Sequence, residues 1–470
     1  MAKLSLNSKY AYGLSLPQGL ILLVIGLVCA LFPVLTTLII VGILLFTVYA
    51  FLKQRIDWIW YAIAASPFFE VWGRMSRAPG VPDEIGKYFL LLAMLLIFLH
   101  NSTKGAYQPL HKAGIAIVLM IIPSLIVATS VFNLDQWIFN ALGILELGLL
   151  LMLISKERWT VERFCKTLQF GILPIFFILV FLTFKTPTYD NVDFQLGANS
   201  AASGGFGSNQ VSTILGLGIV YAVLLVILKR PIFSVKLVNY FLIGFLLFRG
   251  LLTFSRGGMV GAALAVFIAL IPSLFASSKA FFRYSLMALG IGVLGTVIFI
   301  QANKISGNML LLRYEGETKE TLSGAKDKTL NKITSGRYNV FIADWKIFMD
   351  NFLFGVGPGV AKAERAKYAE VHEATAAHTE YTRLLSEHGF GGAIVCFILS
   401  LFPLYWVPKQ RVKVWRGISA ALFTISVLTS MHAAMRTNTT TVCYALAAIP
   451  LFVKSSNIKK KTTVEIPTVE

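Results

Sequence analysis

Long apolar runs separated by short polar breaks dominate this chain from end to end. A bilayer crossing needs roughly 17 to 25 mostly apolar residues, and runs of about this length recur along the sequence. The pattern predicts an all-α polytopic membrane protein with 12 to 14 transmembrane helices, since two runs, 58–69 and 438–453, are short. The other predicted spans lie near 16–32, 34–52, 85–100, 113–132, 136–154, 167–184, 210–228, 237–254, 258–276, 283–301, 389–407 and 415–433.

Composition agrees with this pattern. The 470 residues are 56% hydrophobic and only 14% charged, which excludes an ordinary soluble domain. The net charge of +19 does not indicate nucleic-acid binding, because the basic residues lie mainly in the short connections between the apolar runs. The four cysteines lie apart, so we expect neither a disulfide nor a metal site.

Lysine and arginine are concentrated in every second connection between runs. Basic short loops face the cytoplasm, so both termini are predicted to be cytoplasmic and the long segment 301–387 to lie outside. The predicted units are a transmembrane bundle (1–300), a periplasmic loop (301–387), C-terminal spans (388–453) and a cytoplasmic tail (454–470). Arg74, Arg77 and Arg436 are exceptions to the alternation.

The long loop is predicted to be partly helical. A helix beginning near Ser335 carries an apolar stripe, the glycines between 355 and 359 end it, and a second helix begins around Thr379. The stripe consists of Tyr338, Phe341, Ile342, Trp345, Phe348 and Phe352.

Three residues on this predicted outer side are candidates for catalysis. Arg256, in a Ser-Arg-Gly-Gly turn, could hold a phosphate with paired hydrogen bonds, or it could snorkel to lipid headgroups. Arg337 opens the loop helix, where an anion is favoured, although a solvated first-turn arginine is the simpler interpretation. His378 could accept a proton near neutral pH, although a lone histidine is more often structural.

Other polar positions are candidates for binding. Arg249 lies two turns deeper than Arg256 within the membrane, so it should have a partner, and Glu146 is the candidate. Asn209 and Gln210 start a span after an external loop, where exposed amides could face an anion or the side chain could simply cap the helix.

Taken in order, three segments resemble the O-antigen ligase and polymerase superfamily of bacterial envelope glycan enzymes. The resemblance covers roughly residues 200–395, and the first half of the chain matches only as a set of spans. One departure is Thr379, where the family usually has asparagine. The segments are Ser255 to Gly258; Gly336-Arg337 followed by Asp344-Trp345, Asn351 and Gly355-Val356-Gly357; and His378 to Tyr381 with Glu387 to Gly392.

The resemblance implies a GT-C-like enzyme of the bacterial inner membrane that works without a metal or another cofactor. Its donor would be an undecaprenyl-diphosphate-linked glycan. Arg256 and Arg337 would clamp the diphosphate, and His378 would deprotonate the acceptor or contact the diphosphate. Tyr338 and Tyr381 are expected to contact substrate beside these residues, as are Asn209, Gln210 and Arg249.

The acceptor is less determined than the donor. Ligation to lipid A-core is favoured over polymerisation of O-antigen or exopolysaccharide repeat units, and transfer to a protein hydroxyl is a third alternative. A membrane transporter is the competing class, because of the many spans and the intramembrane charges. The long loop argues against transport.

Overall fold

A computed structural model describes residues 13–101, 105–127, 133–189, 192–275, 277–324, 329, 334, 336–368, 377 and 379–451. Within these residues the chain is helical throughout, with isolated β-bridges in place of strands. The helices are α1 (Leu16–Leu31), α2 (Pro33–Leu52), α3 (Ile56–Ser76), α4 (Ile85–Asn101), α5 (Gln108–Leu125), α6 (Leu134–Ile154), α7 (Val161–Gly171), α8 (Ile175–Lys185), α9 (Ser208–Ile227), α10 (Lys236–Leu252), α11 (Arg256–Leu274), α12 (Ser278–Ile305), α13 (Met309–Tyr314), α14 (Lys319–Leu322), α15 (Arg337–Asp350), α16 (Ala361–Glu364), α17 (Glu380–Lys409), α18 (Lys413–His432) and α19 (Thr439–Ala447).

The helices confirm an all-α polytopic membrane protein. Eight stretches among the described residues are long and apolar enough to cross a bilayer, and α7 with α8 counts as one of them. Three shorter apolar helices, α1, α4 and the first part of α11, add to this set. The total of 12 to 14 spans remains a prediction.

Three predicted spans differ in form from the structure. The short run 58–69 belongs to α3, which at 21 residues is long enough to cross a bilayer. The run 167–184 is divided between α7 and α8 beside Pro174, which has no backbone N–H to continue a helix. The C-terminal run forms only the nine-residue α19.

The second loop helix begins at Glu380 as expected, because the Thr379 hydroxyl accepts a hydrogen bond from the Thr382 N–H and caps it. The helix is then broken at Gly389, whose φ of 57° is open mainly to glycine. Beyond the break the chain folds back on itself, and the Cys396 thiol donates to the Tyr381 carbonyl at 3.5 Å. The start of α17 is therefore held against the membrane-spanning part of the same helix.

The first loop helix, α15, has its apolar stripe turned largely outward. Its buried face consists of Val340, Ala343, Asp344, Ile347 and Phe348, so Phe348 alone of the six predicted stripe residues is fully buried. Tilted ring contacts run from Trp345 through the buried Phe348 and through Phe352 to Phe390, at the start of the membrane-spanning part of α17. The stripe thus covers an outer surface of the protein. Its exposed members include Tyr338, Phe341, Trp345 and Phe352.

Candidate functional site

Arg256 is the first residue of α11, at a crossing of helices too close for side chains. A Cβ on Gly257 would lie 2.4 Å from the His432 ring, and one on Gly258 would lie 2.3 Å from the Ser212 hydroxyl. Both distances are shorter than any real contact, so only glycine fits after the arginine. The Ser-Arg-Gly-Gly sequence therefore fixes Arg256 against α9 and α18.

A second arginine, Arg313 at the end of α13, lies beside Arg256. Arg256 Nη1 donates to the Arg313 carbonyl at 3.2 Å, and Arg313 Nη1 donates to the Leu196 carbonyl at 3.0 Å. Burial, followed by repulsion from Arg256 and Arg337, lowers the pKa of the Arg313 guanidinium to about 10. The group is still charged at neutral pH.

Arg337 completes this group, which we call the arginine cluster (Arg256, Arg313 and Arg337). It follows Gly336, whose φ of 82° turns the chain into α15. Burial and then the charge of Arg256 lower the pKa of its half-buried guanidinium. No residue in the described part of the chain forms a hydrogen bond or ion pair with that guanidinium. The cluster therefore gathers positive charge that an anion would stabilise.

The polar start of α9 fixes neighbouring parts of the site. Asn209 Oδ1 accepts a hydrogen bond from the Ser255 hydroxyl at 2.8 Å, beside Arg256. Gln210 Oε1 accepts one from Arg74 Nη1 at 2.9 Å. Both side chains thus position the surroundings of the cluster, while their predicted contact with substrate remains a prediction.

Arg436, in the turn between α18 and α19, joins the cluster to the segment that precedes α17. Its carbonyl accepts from Arg74 Nη1 at 3.1 Å, and its Nη2 donates to the Ala377 carbonyl at 2.9 Å. Burial lowers the pKa of Arg436, and the charges of Arg337 and Arg365 lower it further. Arg436 is therefore an additional cation close to the cluster.

His378 itself lies outside the described residues, so its role remains a prediction. Its two neighbours are described: Ala377 is buried and accepts the hydrogen bond from Arg436, and Thr379 caps α17. Ala377 is thus held by Arg436, and Thr379 by the start of α17.

Arg383 anchors the first turns of α17. It pairs with Glu380 and, at 2.8 Å, with Glu387, and its Nη1 also donates to the Asn140 carbonyl at 2.8 Å. Glu380 in turn accepts from the Met435 N–H at 3.0 Å. The buried triad therefore binds α17 to α6 and to the turn that carries Arg436.

A partly open cavity lies between these elements, and its empty space, counted out to the open solvent, is about 440 Å³. It adjoins Arg436 and Ala377, the residue before His378. Its lining residues are Gln136, Phe139, Asn140, Gly359, Lys362, Arg365, Ala377, Arg383, Glu387, Ala434, Met435 and Arg436.

Arg249 does not pair with Glu146, and that expectation is wrong. Its guanidinium donates to the Tyr189 hydroxyl at 2.6 Å, the Thr186 hydroxyl at 2.7 Å and the Leu182 carbonyl at 2.9 Å. These groups all belong to the end of α8 and the segment after it, so Arg249 anchors that segment. The Glu146 carboxylate, on α6, has no hydrogen-bond partner among the described residues.

The two candidate tyrosines occupy different environments. Tyr338 is 42% exposed on the outer surface of α15. Tyr381 is half-buried and packs against the helix core. Their predicted contact with substrate also remains a prediction.

Four arginines of the site escaped the sequence analysis. Two of them, Arg74 and Arg436, were exceptions to the alternation of basic loops, and this was a usable signal. Arg313 lay inside the long loop among other charged residues, and Arg383 had the i, i+3 and i, i+4 spacing of a helical ion-pair triad with Glu380 and Glu387.

Part of the chain matches a known protein family. A search of curated proteins found no match. Residues 241–397, which include Arg256, Arg313, Arg337 and the start of α17, match the O-Antigen ligase family. This match, over residues 241–397, confirms the resemblance to the O-antigen ligase and polymerase superfamily that the three short motifs indicated.

Proposed function

We propose that the protein transfers a glycan from undecaprenyl diphosphate to an acceptor hydroxyl. The observation that carries this proposal is the arginine cluster, above all the half-buried Arg337 guanidinium, which has no hydrogen bond or ion pair within the described chain. A diphosphate supplies the anionic oxygens that several convergent guanidinium groups require.

The chemistry of the cluster follows from the leaving group. As the acceptor oxygen bonds to the anomeric carbon, the bond from that carbon to the phosphate oxygen breaks. The electron pair stays on undecaprenyl diphosphate. Fixed guanidinium groups of Arg256 and Arg337 would stabilise this charge more strongly than water does, because they need no reorganisation.

The acceptor proton needs a base, and His378 is our candidate. A neutral imidazole there would take the proton as the oxygen attacks. In a single displacement of this kind, with no covalent enzyme intermediate, the anomeric configuration of the sugar is inverted.

For the acceptor we propose lipid A-core, so that the protein acts as an O-antigen ligase. The support is the family match, whose description is O-Antigen ligase. We further propose that the protein resides in the bacterial inner membrane with the arginine cluster facing the periplasm, as the distribution of basic loops predicts.

The proposal is tested by in-vitro transfer with purified protein and lipid-linked glycan, offering lipid A-core and a second lipid-linked repeat unit in parallel. Arg256→Ala and Arg337→Ala should each lower kcat by about 100-fold or more, as loss of one transition-state donor typically does. Arg337→Lys should also fail, because an ammonium cannot donate two parallel hydrogen bonds.

Lys346→Ala is the matched control, because Lys346 is an exposed cation on the same helix. It should retain activity near that of the unaltered protein. Full activity in Arg337→Ala would remove the cluster from the mechanism. A product formed only with the second repeat unit would replace ligation by polymerisation.

A further inference from the structure

The cavity beside the His378 segment carries positive charge that its own walls leave unmatched. Arg365 is neutralised by the Asp344 carboxylate at 2.6 Å, whereas Arg383 pairs with both Glu380 and Glu387, so that this triad carries one net negative charge. Lys362 forms no ion pair within the described chain, and the Arg436 side chain has the Ala377 carbonyl as its hydrogen-bond acceptor there. Two cations therefore line the cavity without carboxylate partners among the described residues, and together they exceed the negative charge of the triad by one.

The neutral part of the lining suits a sugar. The Asn140 side chain donates to the Gln136 carbonyl at 2.7 Å and accepts from Arg383 at 3.2 Å, which fixes it in the wall. The Gln136 side-chain amide has no hydrogen bond to another described residue and can pair with hydroxyl groups.

Backbone geometry keeps the cavity in shape. Gly359 has φ of 81°, and a Cβ there would lie 2.9 Å from the Gln136 backbone, so the loop can approach α6 only through glycine. The buried ion pairs of Arg383 with Glu380 and Glu387 fix the wall that α17 forms. The site is therefore built from rigid parts before any ligand arrives.

We propose that this cavity binds a negatively charged sugar residue of the acceptor glycan. Lys362 and Arg436 hold its carboxylate or phosphate, and Gln136 meets its hydroxyl groups. The assignment to an acceptor rests on the proposed function, in which the arginine cluster holds the donor diphosphate. Arg436 lines the cavity and is also close enough to Arg337 of that cluster to be repelled by it, and the cavity borders Ala377, the residue before the proposed base His378.

The charge preference is tested on the full-length purified protein by acylating lysines with an N-hydroxysuccinimide ester and measuring each site by mass spectrometry. Methyl glucuronoside should slow modification of Lys362 about fivefold, because an ion pair keeps the amine protonated. Methyl glucoside, which lacks the carboxylate, should not. Lys367, which pairs with Glu364 on the same segment and does not line the cavity, is the matched control.

Equal modification of Lys362 with and without glucuronoside would overturn the proposal, and so would equal protection by both glycosides. The same protection should persist in Arg337→Ala. Its loss there would assign the anion to the arginine cluster instead of the cavity.

The source of the sugar is tested by transfer kinetics. Lys362→Ala should raise the acceptor KM about fivefold with little change in kcat or in the donor KM, while Lys367→Ala should change none of them. A raised donor KM would place the charged sugar on the donor and overturn the acceptor assignment. Absence of any transfer by the unaltered protein, with Lys362 still protected, would refute the proposed function and the acceptor assignment but not the sugar site. Transfer without protection would refute the sugar site alone.

Discussion

At the scale of single residues, the arginines of this protein differ in what surrounds them. Arg249, Arg365 and Arg383 are buried against carbonyl, hydroxyl or carboxylate oxygens and hold segments together. Arg337 and Arg436 instead lie close to other cations, and burial followed by the charge of those cations lowers the pKa of both. Only the second kind retains donors for an anionic ligand, so surroundings rather than residue type separate anchoring arginines from candidate binding arginines.

Arg249→Met should destabilise the protein rather than impair catalysis directly. The substitution leaves the Leu182 carbonyl and two hydroxyl groups without their donor, and we expect a loss of about 3 kcal/mol. Thermal unfolding in detergent measures this loss. A variant with unchanged thermal stability and a raised donor KM would show that Arg249 binds substrate instead.

The sequence predicted two members of the arginine cluster and could not predict how they meet. Arg256 and Arg337 were recognisable because glycines and helix starts accompany them. Arg313 contacts Arg256 across 57 residues of sequence, and no local pattern encodes that contact. The partners of Arg249 were missed for the same reason, since intramembrane charge alone does not reveal that a carbonyl of α8 and hydroxyl groups of the segment after it reach the guanidinium.

At the scale of elements, the start of α17 is joined to the loop by a glycine crossing. Gly355 has φ of 68°, and a Cβ on it would lie 2.4 Å from the Glu387 backbone. The close approach permits two backbone hydrogen bonds, from Val356 N to the Ser386 carbonyl and from Gly357 N to the Glu387 carbonyl, each 3.0 Å long. The crossing therefore fixes the loop to the helix that follows His378.

Gly355→Ala should open this crossing. The left-handed backbone strain alone costs about 1 to 2 kcal/mol, and the contact with Glu387 adds to it. We expect a lower unfolding temperature, faster limited proteolysis of the loop and reduced transfer. Gly290→Ala is the control, because nothing lies within 4 Å of its added methyl group. Equal behaviour of the two variants would contradict a structural role for the crossing.

Helix positions could be predicted from the apolar runs, whereas turns within them could not. The run from 389 to 407 correctly marks the long part of α17, since a bilayer crossing imposes its length. The fold-back at Gly389 depends instead on contacts with Gly355 and Tyr381. The outward stripe of α15 was unpredictable for a related reason: periodicity locates an apolar face and does not say whether protein or membrane covers it.

At the scale of the whole molecule, the predicted orientation can be measured directly. With the four native cysteines replaced, Lys367→Cys in the loop should react in intact cells with a thiol reagent that cannot cross the membrane. Lys53→Cys, in a basic connection, should react only after the membrane is opened. Both positions are exposed, so accessibility depends on the side of the membrane alone. The reverse labelling would place the loop in the cytoplasm and exclude the periplasmic site.

One buried network joins the first third of the chain to its C-terminal turn. Glu70, on α3, accepts from Arg74 at 2.6 Å and from the Asn438 N–H at 3.0 Å, while Arg74 also donates to Gln210 and to the Arg436 carbonyl. The carboxylate is fully buried. The network therefore connects the first half of the chain, which lies outside the family match, to residues beside the arginine cluster.

Breaking the ion pair between Glu70 and Arg74 should affect stability and activity separately. Glu70→Leu leaves a buried cation without its partner and should cost about 3 to 5 kcal/mol, whereas the double substitution Glu70→Leu with Arg74→Leu should cost less than the sum of the single ones. The double variant should still transfer poorly, because the bonds from Arg74 to Gln210 and Arg436 remain absent. Thermal unfolding and the transfer assay measure the two effects on one preparation.

The control is Lys166→Gln, which breaks an exposed ion pair of the same i, i+4 spacing with Glu162 and should change neither stability nor transfer. Recovery of full transfer together with stability in the double variant would show that the network serves folding alone, and that Arg436 is positioned without it.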